Sequence, residues 1–351
     1  MVYSNVRTLR RNAQLPPIVQ EIEAVFGELS QCDEELLEML RGPSRRGPRG
    51  YDPKILWRCY IVYYFLGLPS VSELVRRLYG NPYIAKACGI DSPQDIPSQP
   101  TFSRFFAKLS RRLVRAEVNR VFHRLTQKLY RTLPGLGKLV AMDATDIKAW
   151  SNGAHEKPTD KDAGWVIKTD TNGRGKFTFG YKVSLLVDTA YELPLAVHVM
   201  SGNKHETKAA PALLRQARWI NSKFYPKYVI ADTAYSSEAI RHLIRRQYRG
   251  IPIIKTHPTH KRAIKAYPES PEWRLIYSQR TSIERVFARL KAHWKLNSLR
   301  VRGINKVKVH CLLSVIAVQA QVLATHRRAS VRRIIGNKWP TKQITKRMVE
   351  T

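Results

Sequence analysis

Acidic residues are scarce in this chain. Across 351 residues, Asp and Glu number 27 against 61 Lys and Arg, a formal net charge of +34. An imbalance of that size favours a polyanionic partner, with nucleic acid the first candidate. The deficit deepens toward the end: residues 241–351 carry 26 Lys/Arg and 4 Asp/Glu, so the final third is expected to lie along phosphates. Cysteine is scarce too. Cys32, Cys59, Cys88 and Cys311 are scattered without CxxC pairing, which signals neither a disulfide framework nor a cysteine zinc site and fits a reducing cytosol. Long apolar runs are also missing. "CLLSVIAVQAQVLA" from Cys311 reads as too short and interrupted for a bilayer span, and the N-terminus shows no apolar signal core, so a soluble cytoplasmic protein is expected.

What is present divides into two textures. Up to about residue 133 the apolar residues recur at three- and four-residue spacing, and "YDPKILWRCYIVYYFLGLP" is apolar on nearly all sides, as in a helix buried in a bundle. Ser98 and Pro100 stand at cap and first-turn positions of the helical stretch that follows. Short helices with Arg and Lys on the last member, Arg104 among them, fit either DNA docking or a plain bundle. From residue 138 strands take over: "KLVAMDATDIKAW", "FTFGYKVSLLVDT", "LPLAVHVMSG", "KYVIADTAY" and "IPIIKTH" are β-branched or aromatic and alternate later with helical segments. The expected order is β-β-β-α-β-α-β-α. Residues 151–176 and 257–275 read as long polar loops.

Two strands carry an aspartate where an apolar residue is expected, Asp143 in "KLVAMDAT" and Asp232 in "KYVIADTAY". A carboxylate on a core strand is costly unless charge or hydrogen bonds compensate it. A divalent cation would do so; a strand-end turn cap is the plainer alternative. In "YSQRTSIERVFARLK", residues 277–291, helical spacing gathers Tyr277, Arg280, Glu284 and Lys291 into one arc beside a packing arc of Ile283, Val286, Phe287, Leu290 and, just beyond, Trp294. Glu284 can bind metal there while the cations bind phosphate, or it can close a capping box with Thr281 or join an ion-pair ladder. Asp188 reads as a hairpin cap, Asp146 as pointing to the opposite sheet face, and Glu206 either as serving a helix N-terminus or, together with His205, as an outer partner close to bound metal. Lys182 is either a DNA contact or an exposed strand lysine.

"MDAT", "GYKVSLLVD", "ADTAY" and the spacing Y-x2-R-x3-E-x6-K make the chain similar to the DDE transposases of bacterial insertion sequences, the group with a Tyr-Arg-Glu-Lys signature. The resemblance implies an α/β, RNase H-like core of mixed sheet flanked by helices over 134–300, with a short insertion near 257–275. It places a helical DNA-binding and dimerisation domain at 1–133 and a basic helical region at 301–351. It further implies that Asp143, Asp232 and Glu284 hold two Mg²⁺, with Mn²⁺ as a substitute, for two-metal phosphoryl transfer. Tyr277, Arg280 and Lys291 would meet phosphates at the element's terminus, and Lys182, Arg104, Arg300 and Arg302 are further DNA-contact candidates. A homodimer on terminal inverted repeats, joining a 3′-hydroxyl to target DNA in a prokaryotic cytoplasm, follows from the same likeness. Thr233 and Ala234 depart from the usual polar-Gly pair after the second Asp, which questions the loop there. Trp273 is either a core residue or a base-holding aromatic. Two other readings compete: a nuclease or resolvase of the same fold that cuts without joining, and a non-catalytic DNA-binding protein.

Overall fold

Proline and glycine punctuate the first helices. The computed structural model describes residues 15–42, 50–154, 157–169, 175–259, 262 and 266–327. Helix α1 (Pro17–Leu29) starts on a proline, where a missing N–H costs nothing. Helix α2 (Glu34–Arg41) stops at Gly42, whose φ of 63° suits glycine. Asp52 caps α3 (Pro53–Phe65) by accepting from the Lys54 N–H at 2.9 Å. Ser70 caps α4 (Val71–Gly80) and Asn81 caps α5 (Pro82–Cys88), which ends on Gly89 in the left-handed region. Two helices, α6 (Gln99–Leu109) and α7 (Arg112–Thr132), complete the series. Ser98 precedes α6, but its hydroxyl meets Thr101 and caps no backbone amide.

The chain forms two compact units. Among the described residues the first takes the chain up to Leu125, then Ala292–Arg300 and the stretch from Lys308; the second takes Thr126–Lys291 and Val301–Val307. In the first, α3 is buried on every side, from Leu56 and Trp57 through Tyr64, as the unbroken apolar composition requires. The indole N–H of Trp57 donates to Asp33 at 2.8 Å. Burial pushes the Asp33 carboxyl up to about 6. Helix α12 (Ile304–Arg327) runs well beyond the apolar run that starts at Cys311 and is long and apolar enough to cross a membrane. Nearly all of its apolar window is buried within the protein, the pattern of a core helix.

The second unit is built on one sheet. Strands β1 (Leu139–Lys148), β3 (Gly175–Asp188) and β4 (Leu193–Ser201) are antiparallel neighbours; β5 (Tyr228–Ala231) runs parallel to β1, and β6 (Ile251–Ile254) parallel to β5. The order β4-β3-β1-β5-β6 is therefore an antiparallel three-strand meander joined to two parallel crossovers. Helices α8 (Ala210–Ile220) and α9 (Glu238–Tyr248) make those crossovers. After β6 come α10 (Pro271–Tyr277) and α11 (Thr281–Ala292). A mixed sheet with this order, flanked by helices and preceded by a helical region, is RNase H-like.

One strand lies where a loop was expected. β2 (Gly164–Thr169) pairs antiparallel with the first half of β3. Its Trp-Val-Ile core has strong strand propensity, but polar and glycine neighbours mask it when 151–176 is read as a whole. Likewise α10 occupies the end of the stretch read as irregular, opened by Ser270, which accepts from the Trp273 N–H at 3.1 Å.

Gly180 explains the "FGYK" motif. A Cβ there would sit 2.0 Å from the Ile147 carbonyl oxygen of β1, a backbone atom that cannot swing away. Gly180→Ala is expected to destabilise the second unit at the upper end of the ~1–3 kcal/mol typical of overpacking. Thermal unfolding of the variant checks this; an unchanged Tm would mean the two strands separate at no cost.

Candidate active site

Asp143 sits within β1 and Asp232 just past β5, each directly after the stretch over which these two strands pair in parallel. The Asp143 Oδ1 accepts from the Ala144 N–H at 2.7 Å, and Oδ2 lies 3.5 Å from an Arg280 guanidinium nitrogen. Asp232 caps a single 3₁₀ turn, Thr233–Tyr235, by accepting from the Ala234 N–H at 3.0 Å. That turn settles the question raised by Ala234. Its φ is not positive, so the loop makes no demand for glycine.

A third carboxylate joins the two aspartates, and it is Glu206. It opens a 3₁₀ turn, Glu206–Lys208, after β4, and its side chain is only 14% exposed. One oxygen each of Asp143, Glu206 and Asp232 lie within 4.8 Å of one another. Glu284 stands apart from that cluster. Its side chain is 52% exposed and is held by Arg280 at 2.5 Å, while the other end of the same guanidinium reaches Asp143. Arg280 thus bridges the acid expected from the strand and the acid expected from the helix.

The remaining cations of α11 have separate duties. Arg285 donates to Glu192 at 2.6 Å and Arg289 holds the other oxygen of the same carboxylate. Glu192 lies in the β3–β4 turn with a φ of 51°, so these two arginines tie α11 to the sheet. Ile283, Val286, Phe287 and Leu290 form the buried face of α11. Lys291 donates to the Thr145 hydroxyl at 2.6 Å. Tyr277 stacks on Trp273 with ring centroids 4.8 Å apart and planes within 12°, so Trp273 is half-buried against a signature residue. The Thr281 hydroxyl donates to the Ser278 carbonyl and Glu284 turns to Arg280, so no capping box forms.

The other expected residues are spread more widely. Lys182 is buried, not an exposed strand lysine, with its ammonium 3.3 Å from Glu206. Arg302 is exposed and donates to the Trp150 carbonyl at 2.8 Å. Arg104 on α6 and Arg300 are exposed in the first unit. Asp188 accepts from the amides of Gly137, Ala190 and Tyr191, the hairpin cap its position suggests. Asp146 pairs with Lys168 of β2.

The electrostatics follow from this crowding. Burial, reinforced by Asp232 and Glu206, pushes the Asp143 carboxyl up to about 7, against the lowering effect of the Ala144 amide and Arg280. Burial likewise raises Asp232, opposed by the Ala234 amide, Arg280 and Lys168. Burial pulls Arg280 down, but Glu284, Tyr277 and Asp143 together outweigh it, so its guanidinium is held charged. Burial lowers Lys291, and the nearby Lys168 and Lys176 add to the effect.

Closely spaced hard oxygen donors with raised proton affinity are suited to a divalent cation, whose charge replaces the proton. The donor set therefore fits Mg²⁺ or a similar ion. From sequence, Glu206 is given a helix N-terminus or a place beside the metal ligands rather than among them, because a glutamate opening a helical segment serves the helix dipole so often. Its contact with Lys182 of β3 and its place among the aspartates come from the fold and leave no mark in the local sequence.

Comparison with known proteins gives a family. A family model described as a transposase DDE domain matches residues 134–319, and a second, described as a transposase domain, matches 8–108. No curated protein sequence matches significantly. Among solved structures, a piggyBac transposase synaptic complex with hairpin DNA is 9% identical, with a TM-score of 0.43 over 99% of this chain and 86% of that one. A Mos1 transposase paired-end complex with the left transposon end is also 9% identical, with a TM-score of 0.22 over 84% of this chain and 92% of that one. With the first family match spanning more than half of its 351 residues, the chain belongs to the DDE-domain transposases, enzymes that act on DNA.

Proposed function

We propose that this transposase binds the terminal inverted repeats of its element, cuts at the element ends and joins the freed 3′-hydroxyl to target DNA. The observation that carries the reading is the convergence of Asp143 and Asp232, from strands nearly ninety residues apart, beside the Arg280–Glu284 pair. Two divalent ions, Mg²⁺ or its substitute Mn²⁺, supply when bound a Lewis acid that activates the attacking hydroxyl and steadies the leaving oxygen. Asp143 and Asp232 would hold them as hard oxygen ligands, and Glu284 would complete the set once released by Arg280. Arg280 then has its fork free for a phosphate, which guanidinium geometry matches in bidentate fashion.

Lys291 and Tyr277 position the phosphate backbone beside the acids. Arg302 in the second unit, with Arg104 and Arg300 in the first, adds exposed positive charge for further phosphate contacts. Lys182 acts on Glu206 in the DNA-free protein. A dimer is the working form, since two ends are brought together, and the reaction takes place in the cytoplasm, where the element's DNA lies. No observation favours a nuclease that stops at cutting.

The test uses the full chain and a duplex carrying the ends of its own element. With Mg²⁺, nicked products ending in a 3′-hydroxyl and joined strand-transfer products are expected on a sequencing gel; with EDTA, neither. Cleavage without any joined product would replace this reading with the nuclease.

A further inference from the structure

We infer that Glu206, not Glu284, is the third carboxylate of a divalent-cation site already assembled in the DNA-free protein, and that Glu284 joins only after Arg280 releases it. The inference rests on the reading of Asp143 and Asp232 as metal ligands. It adds a ligand and an order of assembly.

Four observations carry it. A Mg²⁺-like cation keeps its oxygens ~2.0–2.1 Å away, so any two ligands lie at most roughly 4 Å apart. One oxygen each of Asp143, Glu206 and Asp232 lie within 4.8 Å of one another, a small side-chain adjustment from that limit. Next, the three are poorly compensated without an ion: Arg280 reaches Asp143 at 3.5 Å and Lys182 reaches one Glu206 oxygen at 3.3 Å. Like charges at that spacing repel unless a cation lies among them.

The third observation is independent of the carboxylates. Tyr235 is fully buried, and its hydroxyl and that of the buried Ser184 have no partner beyond each other. Tyr235 closes the 3₁₀ turn that Asp232 caps, and that turn packs against the Glu206–Lys208 turn, which sets the ring beside the acids. A buried hydroxyl pair with no further partner is costly. Mg²⁺-like ions keep several of their waters, which would give this pair partners beyond each other. Finally, Glu284 is engaged elsewhere, more than half exposed and paired with Arg280 at 2.5 Å, whereas Glu206 is 14% exposed.

Lys182 competes for Glu206, its ammonium 3.3 Å from one carboxylate oxygen. It also fixes the carboxylate's direction.

The experiment titrates Mn²⁺ into the full-length, DNA-free protein and reads free Mn²⁺ by electron paramagnetic resonance. Wild type is expected to bind one Mn²⁺ with clear saturation. Glu206→Gln should weaken that binding at least tenfold, and Tyr235→Phe several-fold without loss of folded circular dichroism; Glu284→Gln should shift it less than twofold. Wild-type affinity in both Glu206→Gln and Tyr235→Phe, or an equal loss in Glu284→Gln, overturns the inference. Absence of Mn²⁺ binding by DNA-free wild type, with metal-dependent cleavage intact once DNA is added, also overturns it and leaves the proposed function standing. Absence of both removes the two readings together.

Discussion

Asp143→Asn and Asp232→Asn are each expected to slow Mg²⁺-dependent cleavage of element-end DNA by about 10³- to 10⁵-fold while leaving end binding within a few-fold of wild type. A bound metal acting as Lewis acid contributes several kcal/mol to the transition state, and each 1.36 kcal/mol is a factor of ten in rate. Asparagine keeps the shape of each side chain but removes its negative charge and replaces one oxygen with an NH₂ that cannot ligate a hard cation. DNA binding rests on phosphate neutralisation by a chain of charge +34, to which one fewer negative charge makes little difference. Single-turnover cleavage on a gel, beside an electrophoretic mobility shift at the same salt, separates the two effects. Cleavage within tenfold of wild type in both variants would remove the aspartates from the chemistry.

These two aspartates are legible in the amino-acid sequence because each breaks an apolar strand, and burying a carboxylate without compensation is expensive enough to demand a reason. The sheet is legible for a related cause: "KYVIADTAY" and "IPIIKTH" are short, apolar and bounded by turns, as buried parallel strands are. β2 is not, because Trp165, Val166 and Ile167 stand among polar and glycine residues and gain strand character only through pairing with Phe177–Phe179 of β3.

The acidic cluster shows the sharper limit. Glu206 and Asp143 are 63 positions apart, and nothing local distinguishes a glutamate that ligates from one that faces a helix dipole. Only the meander, which returns β4 to the side of β3, brings Glu206 to Lys182 and the aspartates. The helix of the signature is similar. Spacing groups Arg280 with Glu284, but it does not reveal that the same guanidinium extends to Asp143 in β1. Nor does it separate Arg285 and Arg289, engaged with Glu192, from cations available to DNA.

Asp143→Asn is also expected to make the metal-free protein more stable at pH 8, by a few kcal/mol. The folded carboxyl titrates at about 7 against an ordinary 3.8, chiefly because burial disfavours its charge. Between those values the folded chain binds more protons than the unfolded one, so stability declines as pH rises from about 4 to 7. At 1.36 kcal/mol per pH unit, the full shift corresponds to about 4 kcal/mol as an upper bound. Asparagine stays neutral, so the variant should match wild type near pH 4 and exceed it increasingly up to pH 8, where a rise of about 5 °C in the Tm of the catalytic unit is expected. Saturating Mn²⁺ should then reverse the order, because an ion that binds only the folded state adds stability that grows with the logarithm of its concentration relative to Kd, and the variant binds it more weakly. A scan of Tm against pH, with and without Mn²⁺, reads both signs. Equal pH profiles for the two proteins would mean that the site tolerates the Asp143 charge unaided, and the physical case for a cation among these acids would lose its largest contribution.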